Sequence, residues 1–283
     1  MGRYQPHIKE YYRPATTEEA VRILTENRDT AAALAGGTSL TLRAPSRVKI
    51  LVDLQGLGLD KVNRGSLGSM ATMRSLEKAL GDFWDGVIAR AASAVGSRLV
   101  RNAATLGGEL AAGLPWCDMP VLFSVMDGSA SVVDEQGDRE VSLESWAYKR
   151  PSEILEGGLI TRVTVREKDE GEGIGFYKVM RVQGEYALAV AAAYVRLLEG
   201  KVEDIRVAAG AVSPHPVRLE YLEEDLKGLD VKDLDLERAT QVILERFQAV
   251  SDPRVTREYR VEATRVAVKR AIREAITNAT EKG

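Results

Sequence analysis

Apolar residues recur along this chain with two periods, and each change of period marks an element. Thr16-Thr17-Glu18-Glu19 has capping-box spacing, with Ala20, Val21, Ile23 and Leu24 following on one helical face, which predicts a helix ending near Asn27-Arg28-Asp29. The apolar run 30–35 breaks at Gly36-Gly37-Thr38-Ser39-Leu40, the pattern of a strand entering a glycine turn. A second run, 48–54, follows Pro45, which argues against helix, and reads as another strand. These elements predict a small α/β unit at the N-terminus.

Residues 66–70 read as a strand and Thr72 opens a helix through Leu76 and Leu80; 85–97 carries Val87, Ile88, Ala91, Ala92 and Val95 at helical spacing. Residues 101–120 follow neither period, and their glycines, prolines and small side chains make a long connection for a compact domain. A helix after Pro120 to Met126, a strand at 130–133 with a polar turn at 134–138, and a strand at 159–165 complete this part. The acidic, glycine-rich stretch 167–173 has nothing to bury and is the expected domain boundary. Strands at 174–180, 187–197 and 202–212 precede helices near 217–227, 236–247 and 259–277. On the last helix Arg265, Lys269, Arg273 and Glu274 form a solvated face opposite Val261, Val268, Ile272 and Ile276.

Composition narrows the chemistry. With 39 basic and 42 acidic residues, a net charge of −3 and no basic block, no nucleic-acid surface is expected. One cysteine, Cys117, and two histidines, His7 and His215, exclude an intrachain disulfide and a thiolate-held zinc or iron–sulfur cluster, so no metal site is expected. The N-terminal Met1-Gly2-Arg3-Tyr4-Gln5-Pro6-His7 lacks the apolar run of a leader, and no uncharged stretch reaches the roughly 18–20 residues of a membrane span. A cytoplasmic chain without a membrane span is the expectation.

The glycine pairs point to a ligand. Gly36-Gly37-Thr38-Ser39 and Thr105-Leu106-Gly107-Gly108 each let backbone N–H groups converge with hydroxyls beside them, the makings of a clamp on pyrophosphate from two sides. Each pair alone is explained by a tight turn. Neither fits G-x-G-x-x-G or the P-loop. Cys117 reads as a packing residue, His215 as a turn residue and His7 as a surface residue, while Lys178 and Arg181 are open to phosphate or to acidic partners of the same sheet.

Leu34-Ala35-Gly36-Gly37-Thr38-Ser39-Leu40, Val52-Asp53-Leu54, Arg101-Asn102 leading into Thr105-Leu106-Gly107-Gly108, and Pro115 and Asp118 before Pro120 resemble the FAD-binding medium subunit of the molybdenum hydroxylases, the carbon monoxide dehydrogenase and xanthine dehydrogenase type. The resemblance continues through Phe176-Tyr177-Lys178, Arg181, Tyr186-Ala187 and Ile205-Arg206-Val207-Ala208-Ala209-Gly210. It implies an α+β chain: a PCMH/VAO-like FAD-binding domain over 1–171, with subdomains 1–57 and 58–171, then a C-terminal α+β domain over 172–283 with a three-stranded antiparallel sheet and helices.

The resemblance also implies the site. Ala33, Leu34, Ala35, Gly36, Gly37, Thr38, Ser39 and Leu40 would wrap the FAD pyrophosphate, Thr105, Gly107, Gly108 and Glu109 would form the second side, Asp118 would accept hydrogen bonds from the cofactor, and Ile160 and Lys178 would touch it. No residue is catalytic, because the chemistry belongs to the flavin. The chain departs from the family at Glu109, where Asn or Asp is frequent, and at Leu114-Pro115-Trp116-Cys117-Asp118, where Ser-Pro-Ala-Ala-Asp is usual. These departures bear on side-chain bonds to the ribityl chain or flavin ring, and Trp116 on access to it.

By the same resemblance the chain is an oxidoreductase subunit that takes electrons from a [2Fe–2S] small subunit, beside a molybdopterin-binding large subunit, in a dimer of heterotrimers. A stand-alone FAD oxidoreductase of the same binding fold, and a scaffold that has lost FAD, are the alternatives.

Overall fold

The computed structural model describes residues 7–247, 249 and 251–281; the N-terminal residues 1–6, read above for a leader, lie outside these. The N-terminal unit contains β1 (Glu10–Tyr12), α1 (Thr17–Glu26), β2 (Ala31–Leu34), α2 (Leu40–Arg43) and β3 (Ile50–Asp53). Its strands pair in parallel in the order β1-β3-β2. Thr16 caps α1 as expected, accepting from the Glu19 N–H at 3.2 Å, while the Glu19 carboxylate accepts from Ala15, one residue earlier than a capping box requires. Ala20, Val21 and Ile23 bury against Ile50 and Val52, which holds α1 on the sheet.

The second unit runs through β4 (Val62–Asn63), β5 (Ser66–Gly68), α3 (Met73–Ala79), α4 (Val87–Ser93), α5 (Arg98–Arg101), α6 (Leu106–Ala111), α7 (Asp118–Phe123), β6 (Gly128–Asp134), β7 (Gly137–Ser142), α8 (Pro151–Leu155) and β8 (Leu159–Val165). Its five strands form one antiparallel sheet, β4-β5-β8-β6-β7. The helix expected over 85–97 is shorter. Trp84 and Asp85 adopt left-handed backbone (φ 51° and 55°), because the buried Trp84 ring is anchored by its Nε1–H to the Arg166 carbonyl at 2.8 Å. The aperiodic stretch 101–120 takes up the end of α5, all of α6 and the start of α7, each too short to show a helical period.

The third unit contains β9 (Glu172–Val179), β10 (Ala189–Leu198), β11 (Lys201–Gly210), β12 (Val217–Arg218), α9 (Glu220–Leu226), α10 (Leu236–Ala239), α11 (Ile243–Arg246) and α12 (Arg257–Thr280). The antiparallel sheet has four strands, β12-β11-β10-β9, rather than three. β12 occupies the front of the helix expected at 217–227, pairing with Ala208 and Ala209 before α9 begins.

β10 shows why an alanine-rich run is a strand here. Val190, Ala192 and Tyr194 face the core of the second unit, whereas Ala191, Ala193 and Val195 face α12, so both faces are buried and period two disappears from the hydropathy. On β9 the fit is tighter still. A Cβ at Gly173 or Gly175 would stand about 2 Å from the carbonyl oxygen of Ala275 or Ala271, so α12 packs directly on strand backbone.

Two expectations need correcting. The stretch 167–173 does bury something: Glu172 is fully inaccessible, its carboxylate gripped by both terminal nitrogens of Arg166 (2.6 Å each), the Tyr194 hydroxyl (2.6 Å) and the Asp169 N–H (2.9 Å). Arg166 and Arg206 also meet on Asp127, which ties the second unit to the third. The charged residues of α12 are not simply solvated either. Arg265 and Lys269 pair with Glu237, and Glu274 pairs with Arg90 and accepts from the Phe176 N–H.

Candidate functional site

All three units meet at a cavity of about 550 Å³. From the N-terminal unit comes the turn after β2. A Cβ on Gly36 would lie 1.7 Å from the Ala103 carbonyl oxygen, so only glycine lets this turn close on the second unit, and Gly37 has φ +69°. The turn holds itself through Thr41 N–H to Gly37 O and Arg43 N–H to Ser39 O, while the N–H groups of Gly37, Thr38 and Ser39 have no acceptor among the described residues. Consecutive unpaired amides of this kind form an anion cradle.

The second wall is pinned by backbone bonds. Met73 donates to Ala104 O (2.8 Å), Leu106 to Ala71 O (2.9 Å) and Gly107 to Ser69 O (2.7 Å). Thr105 caps α6 by accepting from the Gly108 N–H, which leaves its hydroxyl proton to donate. Buried Arg101 holds the adjoining 95–100 turn through Gly96 O (2.8 Å) and Glu77 (3.2 Å), setting Val95, Gly96 and Val100 into the wall.

The third wall is Lys178 of β9 with Glu185 and Tyr186 beyond it. Lys178 Nζ bonds Asp118 Oδ2 at 2.7 Å and the Ala94 carbonyl at 2.9 Å, both side chains being about 96% buried. Burial raises the Asp118 carboxyl to about 6 even against the pull of Lys178. Glu109 is pushed up to about 7 by burial and then by the Asp118 charge. Burial, with Glu109 and Asp118 beside it, drives the Cys117 thiol well up, so it is a protonated packing group and not a thiolate. Glu109 Oε2, Asp118 Oδ1 and Trp116 Nε1 are buried without a partner. The guanidinium groups of Arg43 (5.2 Å) and Arg254 (5.3 Å) lie over the Trp116 ring, which packs on Tyr186 (5.3 Å between ring centres).

Of the residues expected at a site, Ala33, Ala35, Gly36, Gly37, Thr38, Ser39, Leu40, Thr105, Gly108, Glu109, Asp118 and Lys178 line this cavity. Three lie off its walls. Leu34 is on β2 beneath Gly37, Gly107 spends its N–H on Ser69, and Ile160 of β8 sits in the core opposite Val132. Arg181 pairs with Glu185, and His7 is half-buried rather than on the surface. Arg43, Leu42, Val95, Gly96, Tyr186 and Glu185 also line the cavity and were not expected. Only Tyr186 carried a signal, by standing in a stretch that resembles the family. A wider depression of about 1060 Å³ between Arg64, Trp84 and Lys168 is different in kind: Arg64 pairs with Asp82 and Glu167, and Lys168 with Asp85. Among the described residues no group of three or more His, Cys, Asp or Glu is placed to hold a metal, and no helix is long and apolar enough to cross a membrane.

The donor set suits FAD: free amides and a threonine hydroxyl for pyrophosphate oxygens, and orphaned carboxyl oxygens for ligand hydroxyl or N–H groups. Residues 4–165 match the model of the FAD binding domain in molybdopterin dehydrogenase, and residues 175–275 that of the CO dehydrogenase flavoprotein C-terminal domain. The glyceraldehyde dehydrogenase medium chain of Sulfolobus acidocaldarius is 27% identical, covering 96% of this chain and 99% of that one. The carbon monoxide dehydrogenase medium chain of Afipia carboxidovorans is 28% identical, over 95% and 97%. Among solved structures, the carbon monoxide dehydrogenase of Hydrogenophaga pseudoflava that lacks the Mo-pyranopterin moiety superposes with a TM-score of 0.87 at 25% identity, over 96% of this chain and 98% of that one. A cradle of unpaired amides, a hydroxyl and two buried carboxyls, set in a chain matched nearly end to end, leads to one conclusion: this protein belongs to the FAD-binding medium subunits of the molybdenum hydroxylase family.

Proposed function

We propose that FAD occupies the cavity between the three units and that the chain relays electrons through it, from a [2Fe–2S] small subunit to an external acceptor. The observation that carries this reading is the coincidence, on one cavity, of unpaired amides at Gly37, Thr38 and Ser39 with orphaned oxygens on Glu109 and Asp118. When bound, FAD supplies the two-electron redox chemistry, and the protein supplies binding, orientation and electrostatics. The amides and Thr105 would hold the pyrophosphate, Asp118 would be fixed by Lys178 to accept from the cofactor, and the Trp116–Tyr186 pair would close the cavity to water. No side chain acts as a general base. Gly36–Leu40, Thr105, Glu109, Asp118 and Lys178 are the residues assigned to binding.

The partners follow from the same reading. One cysteine and two histidines cannot hold a cluster, so the [2Fe–2S] centre and the molybdopterin belong to separate subunits, in a dimer of heterotrimers in the cytoplasm. Relatives named as medium chains of dehydrogenases support this. The two domains would divide at 171/172.

The test uses Ala111→Trp. Ala111 lines the cavity from an exposed position at the end of α6, so an indole there fills the cavity without disturbing the core. Titrating FAD into flavin-free full chain, followed by flavin fluorescence, should show at least thirtyfold weaker binding for the variant at an unchanged melting temperature. Equal affinity in both proteins would place FAD elsewhere and end this reading.

A further inference from the structure

The floor of the cavity holds more acid than base. Glu109 from α6 and Asp118 from α7 both line it, each with a buried oxygen that has no partner, and one ammonium, Lys178, bonds the pair at Asp118. Charged groups on the surrounding elements are committed elsewhere. On α8 and β8, packed against α6, Glu153 accepts from the Arg150 N–H and Arg162 donates to Ser131. Around α7, Arg90 of α4 pairs with Glu274, Arg206 of β11 with Asp127 and Asp204, and Glu144 with Arg218. At the rim Arg181 holds Glu185, Arg43 lies over the Trp116 and Tyr186 rings, and Arg254, also over Trp116, pairs with Asp252 while its Nη1 has no partner among the described residues; none of the three is bonded to Glu109 or Asp118. The Cys117 thiol keeps its proton.

We infer that Glu109 and Asp118 together retain one proton when FAD is seated, so that binding of FAD takes up a proton from solvent. This rests on the reading that the cavity is the FAD site. The pyrophosphate brings two negative charges and the ligand excludes water, and two ionised carboxylates facing a single ammonium are then an unpaired buried charge. Protonating one of them removes that charge. It also converts an acceptor-only group into a donor, which a ligand rich in acceptors can use.

The free chain is already close to this state, with Glu109 near 7 and Asp118 near 6. The sign follows directly. An anionic ligand raises the pair's pKa, so between the free and bound values the complex holds more protons than the free protein, and affinity falls as pH rises through that window. Below the free value affinity is flat. The two carboxyls titrate as a pair, and Glu109, lacking the ammonium contact, is the member that carries the proton.

Calorimetric titration of FAD into flavin-free full chain at about pH 7.5, in two buffers of different ionisation enthalpy, counts the protons. FAD has no group of its own that titrates near neutrality. Uptake should approach one proton in the wild type and fall at least threefold in Glu109→Gln. Above neutrality the Kd should rise up to about tenfold per pH unit for the wild type and less than twofold for the variant. Tight binding with no proton uptake in the wild type overturns the inference, and does so even if the variant fails to fold. Equal uptake in wild type and Glu109→Gln overturns it as well. Undiminished FAD binding by Ala111→Trp removes the site reading instead, and this inference with it.

Discussion

Two buried acids in this chain have opposite surroundings. Glu172 accepts four hydrogen bonds, and although burial alone would raise its carboxyl, Arg166 and Tyr194 bring it below the ordinary carboxylate range. Asp118, equally buried, has one cationic partner and an orphaned oxygen, and burial wins. The difference separates a finished structural joint from a site built for something else. A complete network leaves no capacity for a ligand, whereas an incomplete one at a cavity wall is tolerated because a ligand completes it.

Changing an acid to its amide at both places is the strongest way to break this contrast. Glu172→Gln should cost about 3 kcal/mol in urea denaturation, because the fully buried carboxylate that binds both terminal nitrogens of Arg166 and the Tyr194 hydroxyl is lost from the joint. A loss under about 1 kcal/mol would mean the joint is ornamental. Glu109→Gln should act in the other direction. An acid whose folded pKa stands above its unfolded one loses stability as pH rises between the two, here from about 4.5 to about 7. The flavin-free variant should therefore be about 3 kcal/mol more stable than wild type at alkaline pH, the gap closing in acid; a pH series of melts checks this. Asp118→Asn should change stability least, by about 1 kcal/mol, since the lost Lys178 pair is offset by relief of a strained charge, yet it should weaken FAD about tenfold. A large stability loss there with unchanged FAD affinity would reverse the assignment of the two sites.

The glycine loops were legible because their chemistry is local: Gly36-Gly37 and Thr105 carry their reason for being there in their own backbone and hydroxyl. Strands β9, β10 and β11 were legible from length and turn residues even where alanines hid the period. The rest depended on distant partners. Glu172 read as linker because Tyr194, which buries it, is on the next strand and Asp127 lies in another unit. Arg43 and Val95 gave no signal, since lining a cavity is a property of three-dimensional approach and not of residue type. Trp84 broke a helix through one indole bond to a carbonyl 82 residues away. Two-residue β12 is shorter than any periodic pattern can register.

The cavity takes its walls from positions as far apart as Ala33 and Tyr186. During synthesis the first two units leave the ribosome before the lysine wall exists, so with FAD in this cavity the complete site would arise only once the third unit has docked. On that reading yellow colour in a preparation would report the last step of assembly, the docking of β9 with its Lys178 against the first two units.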